Sequence, residues 1–260
     1  MKKLSFKKTN PGIAGVIGLL ALVGVLAVLM ARETGDSIDI EDYDRRMLRL
    51  ANVSTTTVSA ANAVSASTSA VKKSRWPVQT PYPGAGAILP FQRVVAYYGN
   101  FYSKKMGIIG EYPEEEVFRR LRGEMDRWNA ADPETPVLPA IHYVAVTAQG
   151  YAGADGKYRM RMPDKEIDKT LAMAERIEGI AFLDIQIGKS TVQDEVPRLD
   201  RYLRLPQVHL GLDPEFSMKD GTPPGKKIGT MDAAEINWAI RHLSKIVEEN
   251  NLPPKILVIH

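Results

Sequence analysis

The sequence predicts an α/β fold, a (β/α) barrel of the TIM type with about five βα units present, preceded by a transmembrane helix and a flexible linker. Three observations carry this expectation. Residues 12–31 are an unbroken apolar run, residues 51–70 are built from only five small or polar residue types, and from residue 93 onward short apolar runs alternate with amphipathic segments. Strand and helix alternating along a chain imply βαβ crossovers and a parallel sheet.

The apolar run is long enough, as a helix, to cross about 30 Å of hydrocarbon. Lys2, Lys3, Lys7 and Lys8 precede it, and Arg32, Arg45 and Arg46 follow more sparsely. That bias places residues 1–11 in the cytoplasm and the rest of the chain outside. A cleaved signal peptide would have a shorter apolar core and a small-x-small site, and Leu29 stands where the first small residue is needed before Ala31. The expectation is a single-pass anchor in the cell membrane, with the lipid bilayer as a partner through residues 12–31 and an extracytoplasmic C-terminal domain.

Residues 32–75 are expected to be linker. Asp36, Asp39, Glu41, Asp42 and Asp44 are followed by Arg45, Arg46 and Arg49, a pattern with room for a short helix. Residues 51–70 contain only Ala, Ser, Thr, Val and Asn, too little bulky apolar surface to offset the entropy of ordering. Prolines 77, 81, 83 and 90 lead into the domain, taken as residues 76–260.

Composition excludes several function classes. A net charge of +3, spread along the chain, provides no basic stripe, so no nucleic-acid partner is expected. The absence of cysteine removes disulfides, thiolate metal sites and a cysteine nucleophile. No cofactor is called for.

The first strand is read at residues 93–98 (RVVAYY), followed by a helix opened by Pro113 and three glutamates, with Val117, Leu121 and Met125 or Trp128 inward. A strand at 137–147 leads through a Gly/Asp loop to a helix capped by Asp164, carrying Ile167, Leu171, Ala174 and Ile177 inward. Residues 179–187 (GIAFLDIQI) read as a strand buried on both faces. Ser190 with Gln193 suggests a capping box for the next helix, with Pro197 shortening it. A strand at 207–216, a helix capped by Asp232 and Glu235, and a strand at 255–260 complete the pattern. Five strands and four helices are the front of an eight-unit barrel, so the barrel is expected to be incomplete.

In such folds ligands bind beyond the carboxyl ends of the strands, where side chains from separate strands converge. The candidates there are Tyr97 and Tyr98, His142, Asp184 and Gln186, Asp213 and Glu215, and His260. Alternation puts His209, Gly211, Asp213 and Glu215 on one strand face and Phe182, Asp184 and Gln186 on another. Carboxylates pointing into a core are costly to bury, a cost that suits a proton donor when it raises the pKa. Blander roles stand beside these: Asp213 as a turn residue before Pro214, Asp184 bonded to main-chain donors, His209 as a satisfied core histidine, and the tyrosines as packing residues that could also stack on sugars.

The segments VVAYYGN, FLDIQIG and LGLDPEF resemble those of uncharacterised bacterial secreted or membrane-anchored proteins related to barrel glycoside hydrolases, over residues 93–260. Asp213-Pro214-Glu215 is similar to the Asp-x-Glu that supplies the acid at the end of the fourth strand in chitinase-like and lysozyme-like barrels. The resemblance implies Glu215 as proton donor and Asp213 as its partner, with Gly211 and His209 replacing the preceding acids of the chitinase pattern. It implies hydrolysis of cell-wall or extracellular glycan, with Glu215, Asp213 and Asp184 catalytic and Tyr97, Tyr98, His142, Gln186 and His260 holding substrate. Two other readings stay open: a divalent-metal hydrolase with His142, Asp184, Glu215 and His260 as ligands, and a stalked barrel that binds glycan without cleaving it.

Overall fold

The computed structural model describes residues 38–50 and 81–260. The expected membrane helix at 12–31 and the low-complexity stretch at 51–70 lie outside the described residues. Among the described residues no helix is long and apolar enough to cross a membrane.

Helix α1 (Ile40–Leu50) falls within the stretch expected to be linker. It is tied to the domain, because the Arg46 guanidinium donates to the carbonyls of Phe91 and Glu134 at 3.2 and 3.1 Å. Arg49 pairs with Asp132 and Glu134. These partners precede the strands β1 (Arg93–Gly99) and β2 (Val137–Ala148), so α1 sits at the amino-terminal rim of the sheet.

After β1 come α2 (Ile108–Glu111) and α3 (Glu114–Ala131), whose Glu114, Glu115 and Glu116 oppose the helix dipole and whose Val117, Phe118 and Leu121 are buried. A short strand β3 (Arg159–Arg161) folds back antiparallel on the end of β2, followed by α4 (Asp164–Arg176) and β4 (Ile180–Ile185). Two short helices, α5 (Val192–Glu195) and α6 (Asp200–Leu203), flank a 3-10 turn containing Pro197. Then follow β5 (Val208–Leu212), α7 (Ala233–Asn250) and β6 (Leu257–Ile259). The capping box of α7 is present as read, Asp232 and Glu235 each accepting the other's backbone N–H at 3.0 Å.

The sheet runs β1-β2-β4-β5-β6 with every neighbouring pair parallel. It is strongly curled. Its edge strands β1 and β6 are four spacings apart, about 19 Å across a flat sheet, yet the rings of Tyr98 on β1 and His260 just after β6 lie 5.7 Å apart. On the convex face Ile141, Tyr143, Leu183, Ile185, Leu210 and Leu212 pack against the helices through Val117, Phe118, Leu121, Met173, Leu243 and Ile246. On the concave face Ala140, Ile180 and Phe182 meet Val94, Leu138, Ile256 and Val258. β4 and β5 are buried along their whole length, which suits their nearly apolar sequences, broken only by Asp184 and His209.

Three local readings are corrected. Thr191, not Ser190, caps α5, its hydroxyl accepting from the Asp194 N–H at 3.1 Å. Pro163 occupies the cap position of α4, and Asp164 contributes its charge to the first turn instead. β3 had no separate signal in the sequence, since three residues are too few to show a period.

Ser190 is occupied elsewhere. Its hydroxyl donates to Glu195, a fully buried carboxylate that also receives Arg159 at 2.8 Å and Arg161 at 2.7 Å. Burial pushes this carboxyl up, and the hydrogen bonds from Arg161, Ser190 and Arg159 outweigh it, holding it below the usual range. The pair of arginines belongs to β3, so Glu195 pins the β2–β3 hairpin over the carboxyl ends of the strands. Gly188, at φ 59°, makes room for this, because a Cβ there would lie 2.5 Å from the Tyr158 carbonyl oxygen. Glu195→Ala leaves the buried Arg159 without its main partner and is expected to cost on the order of 3 kcal/mol, read as a lower urea midpoint.

Candidate functional site

The carboxyl ends of the parallel strands bring Tyr98, His142, Asp184, Gln186, Asp213 and His260 to one rim on the concave side. Register explains the convergence: Tyr98 pairs with His142, His142 with Phe182, and Asp184 with Gly211 in neighbouring strands. A register shift between Val144 and Val146 interrupts the β2–β4 ladder at this level, where a bulge re-aims side chains.

Asp184 lies at the centre with 0% exposure. Its Oδ2 accepts the Tyr98 hydroxyl at 3.2 Å and faces His260 Nε2 at 3.2 Å. Its Oδ1 stands 3.8 Å from His142 Nε2, beyond hydrogen-bond length, and neither atom has a hydrogen-bond partner among the described residues. The rings of Tyr98, His142 and His260 surround the carboxylate with centroids 5.2 to 5.7 Å apart. Asp184 therefore uses side chains rather than main-chain amides.

Gly211 is what lets this cluster close. A Cβ at Gly211 would fall 2.5 Å from Asp184 Oδ1 and 2.7 Å from His142 Nε2, so any larger residue on β5 would occupy the ground on which the two side chains meet. The sequence carried no signal for that role, because a glycine in a strand looks the same whether it marks a bulge, a bend or a close approach.

Gln186 joins the two aspartates. Its Oε1 accepts the Ala148 N–H at 3.1 Å, which leaves its Nε2 to donate to the Tyr98 hydroxyl at 3.3 Å and to Asp213 Oδ2 at 3.0 Å. The donors run in one sense, from Gln186 to Tyr98 to Asp184. Asp213 Oδ1 has no hydrogen-bond partner among the described residues.

The two carboxyls are driven in opposite directions. Burial pushes Asp184 up, but the neighbouring His142 and His260 outweigh it and hold the group below the usual carboxylate range. Asp213 is pushed up to about 6, first by burial and then by the charge of Asp184, with the Gln186 hydrogen bond opposing. His260 is raised, chiefly by its hydrogen bond to Asp184, against the effect of its own burial. The Tyr98 phenol is also raised, by burial and by Asp184 and Asp213, so it stays a neutral donor.

Two expected members lie elsewhere. Tyr97 points to the opposite face from Tyr98 and packs in the convex core with the helices, as strand alternation requires, so it is removed from the substrate-binding set. Glu215 sits on a 3-10 turn (Pro214–Phe216) and is exposed, lining a shallow cleft of about 270 Å³ with Phe216, Gly225, Lys226, Lys227 and Ile228. His209 is a core histidine, its Nδ1 accepting the Ile256 N–H at 2.9 Å, while its Nε2 has no hydrogen-bond partner among the described residues. Burial lowers its pKa to about 3, which keeps the ring neutral. A larger groove of about 890 Å³ lies away from this rim, between α7 and the segments around Gly84 and Pro254.

No protein-family model, curated protein or solved structure matches the chain. The chemistry of the rim must therefore be argued from its own residues.

The Asp213 shift predicts a pH-dependent stability. An unfolded aspartate releases its proton near 3.9, whereas native Asp213 keeps it to about 6. The folded state binds more protons in that window, so stability falls as pH rises through it and the penalty persists above. Asp213→Asn is expected to match the parent near pH 4 and to exceed it near pH 7.5, by at most about 3 kcal/mol, in thermal melts across that range.

Proposed function

We propose that the domain is a glycan hydrolase held outside the cytoplasm by residues 12–31, with the curled sheet as the leading part of a (β/α) barrel. It cuts cell-wall or extracellular polysaccharide by carboxylate acid–base catalysis. The observation that carries this reading is the pair Asp184 and Asp213, two carboxyls at one rim whose surroundings separate their pKa values. Groups split in this way can divide the work of acid and base between them.

Asp213 is the proton donor to the departing glycosidic oxygen, because it is the carboxyl that burial keeps protonated near pH 6. Asp184, held ionised beneath the rim, is the second carboxylate, and its charge stabilises the positive charge that develops as the bond breaks. Tyr98, His142, Gln186 and His260 supply hydrogen bonds to sugar hydroxyls. Glu215, the donor suggested by resemblance, stands in the exposed turn beside them, and its negative charge helps hold the proton on Asp213.

The test is release of reducing ends from purified wall and extracellular polysaccharides. Asp213→Asn is expected to lower kcat by roughly 100-fold or more, with Glu215→Gln affected far less, and the parent rate is expected to decline above pH 6 as Asp213 loses its proton. Equal turnover in the Asp213→Asn and parent proteins would remove the assigned acid, and no release of reducing ends by the parent would leave a barrel that binds glycan without cutting it.

A further inference from the structure

We infer that His142 Nε2, Asp184 and His260 Nε2 form a binding site for a first-row transition-metal dication, Zn²⁺ or Mn²⁺ rather than Ca²⁺ or Mg²⁺. The three side chains come from β2, β4 and the residue after β6, and one ligand atom from each lies within 4.8 Å of the others. Two ligands about 2.1 Å from a shared cation in tetrahedral geometry stand about 3.4 Å apart. His260 Nε2 stands 3.2 Å from Asp184 Oδ2 and His142 Nε2 stands 3.8 Å from Asp184 Oδ1, separations that bracket that value on the two oxygens of one carboxylate.

The second observation is the pair of unpartnered atoms. Asp184 Oδ1 and His142 Nε2 are both buried without a hydrogen-bond partner among the described residues, and both reach the space directly over the Gly211 Cα. A carboxylate oxygen and an imidazole nitrogen that simply exchanged a proton would close to about 2.8 Å. Held apart over bare backbone, they present two lone pairs to a common point.

The donor set selects the ion. Two imidazole nitrogens and one carboxylate oxygen suit Zn²⁺ and admit Mn²⁺ through the carboxylate and any bound water, whereas Ca²⁺ and Mg²⁺ favour oxygen throughout. The Tyr98 hydroxyl and Gln186 amide then act as an outer layer, fixing the rotation of the Asp184 carboxylate through Oδ2. Three protein ligands leave coordination positions for water or for substrate oxygens. The site shares its rim with the hydrolase proposed above but stands whatever the substrate is: with a cation bound, Asp184 meets the ligand through the metal, and Asp213 keeps its own place.

The experiment uses the full 260-residue chain. It is stripped with a chelator, dialysed against ZnCl₂, MnCl₂ or CaCl₂, and assayed for bound metal by mass spectrometry and for affinity by titration calorimetry. One Zn²⁺ or Mn²⁺ per chain is expected, with affinity at least 10-fold weaker in His260→Ala. That substitution alters a partly exposed residue, so circular dichroism should show the fold retained. His142→Ala is expected to weaken binding similarly, and the double variant to abolish it. Binding unchanged in the double variant, a preference for Ca²⁺, or no bound cation in the parent would each overturn the inference. Metal bound without glycan cleavage would defeat only the hydrolase reading, and cleavage lost in Asp213→Asn without metal binding would defeat only this one.

Discussion

A carboxylate with no contact to solvent dictates the shape of this protein. Asp184 can remain ionised only if hydrogen bonds and positive charge replace the water it has lost. The groups that do so come from β1, β2 and the end of β6, strands that a flat sheet would hold too far apart. Curvature, register and the missing side chain at Gly211 all serve that one requirement. If the sheet flattened, Tyr98 and His260 would withdraw from Asp184 and the charge would have no compensation.

The same sheet separates two kinds of work. Its convex face is a dry interface with the helices, filled by Ile, Leu and Val from the middle strands. Its concave face is apolar around Ala140, Ile180 and Val258 and turns polar towards the carboxyl ends. On β1, β2, β4 and β6 that change takes place within two residues, because alternate positions of a strand point the same way, whereas β5 already carries His209 beside Phe182. The β2–β3 hairpin is fastened by Glu195, a second buried carboxylate whose partners are Arg159, Arg161 and Ser190. The contrast is chemical. Arginines hold the Glu195 carboxyl below the usual range, whereas the Tyr98 hydroxyl and the His260 ring are what contact Asp184.

The order of strands and helices could be read from the sequence because each element carried its own period or its own cap. Residues 179–187 announced a buried parallel strand by nearly continuous apolarity, and Asp232 with Glu235 marked a helix start that the structure reproduces. The polar rim was also legible as a set of residues, since Tyr98, His142, Asp184, Gln186, Asp213 and His260 all stand at strand ends. What the sequence could not reveal was how they divide. Tyr97 and Tyr98 are chemically alike, and only the register of β1 decides which one faces the rim. Asp213 and Glu215 are two residues apart, and the turn begun by Pro214 carries one inward and the other out. The function of Gly211 depends on atoms from two other strands, and no local pattern records that.

Helix α1 grips the sheet at the end where the strands begin, and the polar residues gather where the strands finish. The contacts of α1 and the polar rim therefore lie at opposite ends of the domain. A partner approaching the polar end meets strand termini and their side chains without having to displace α1.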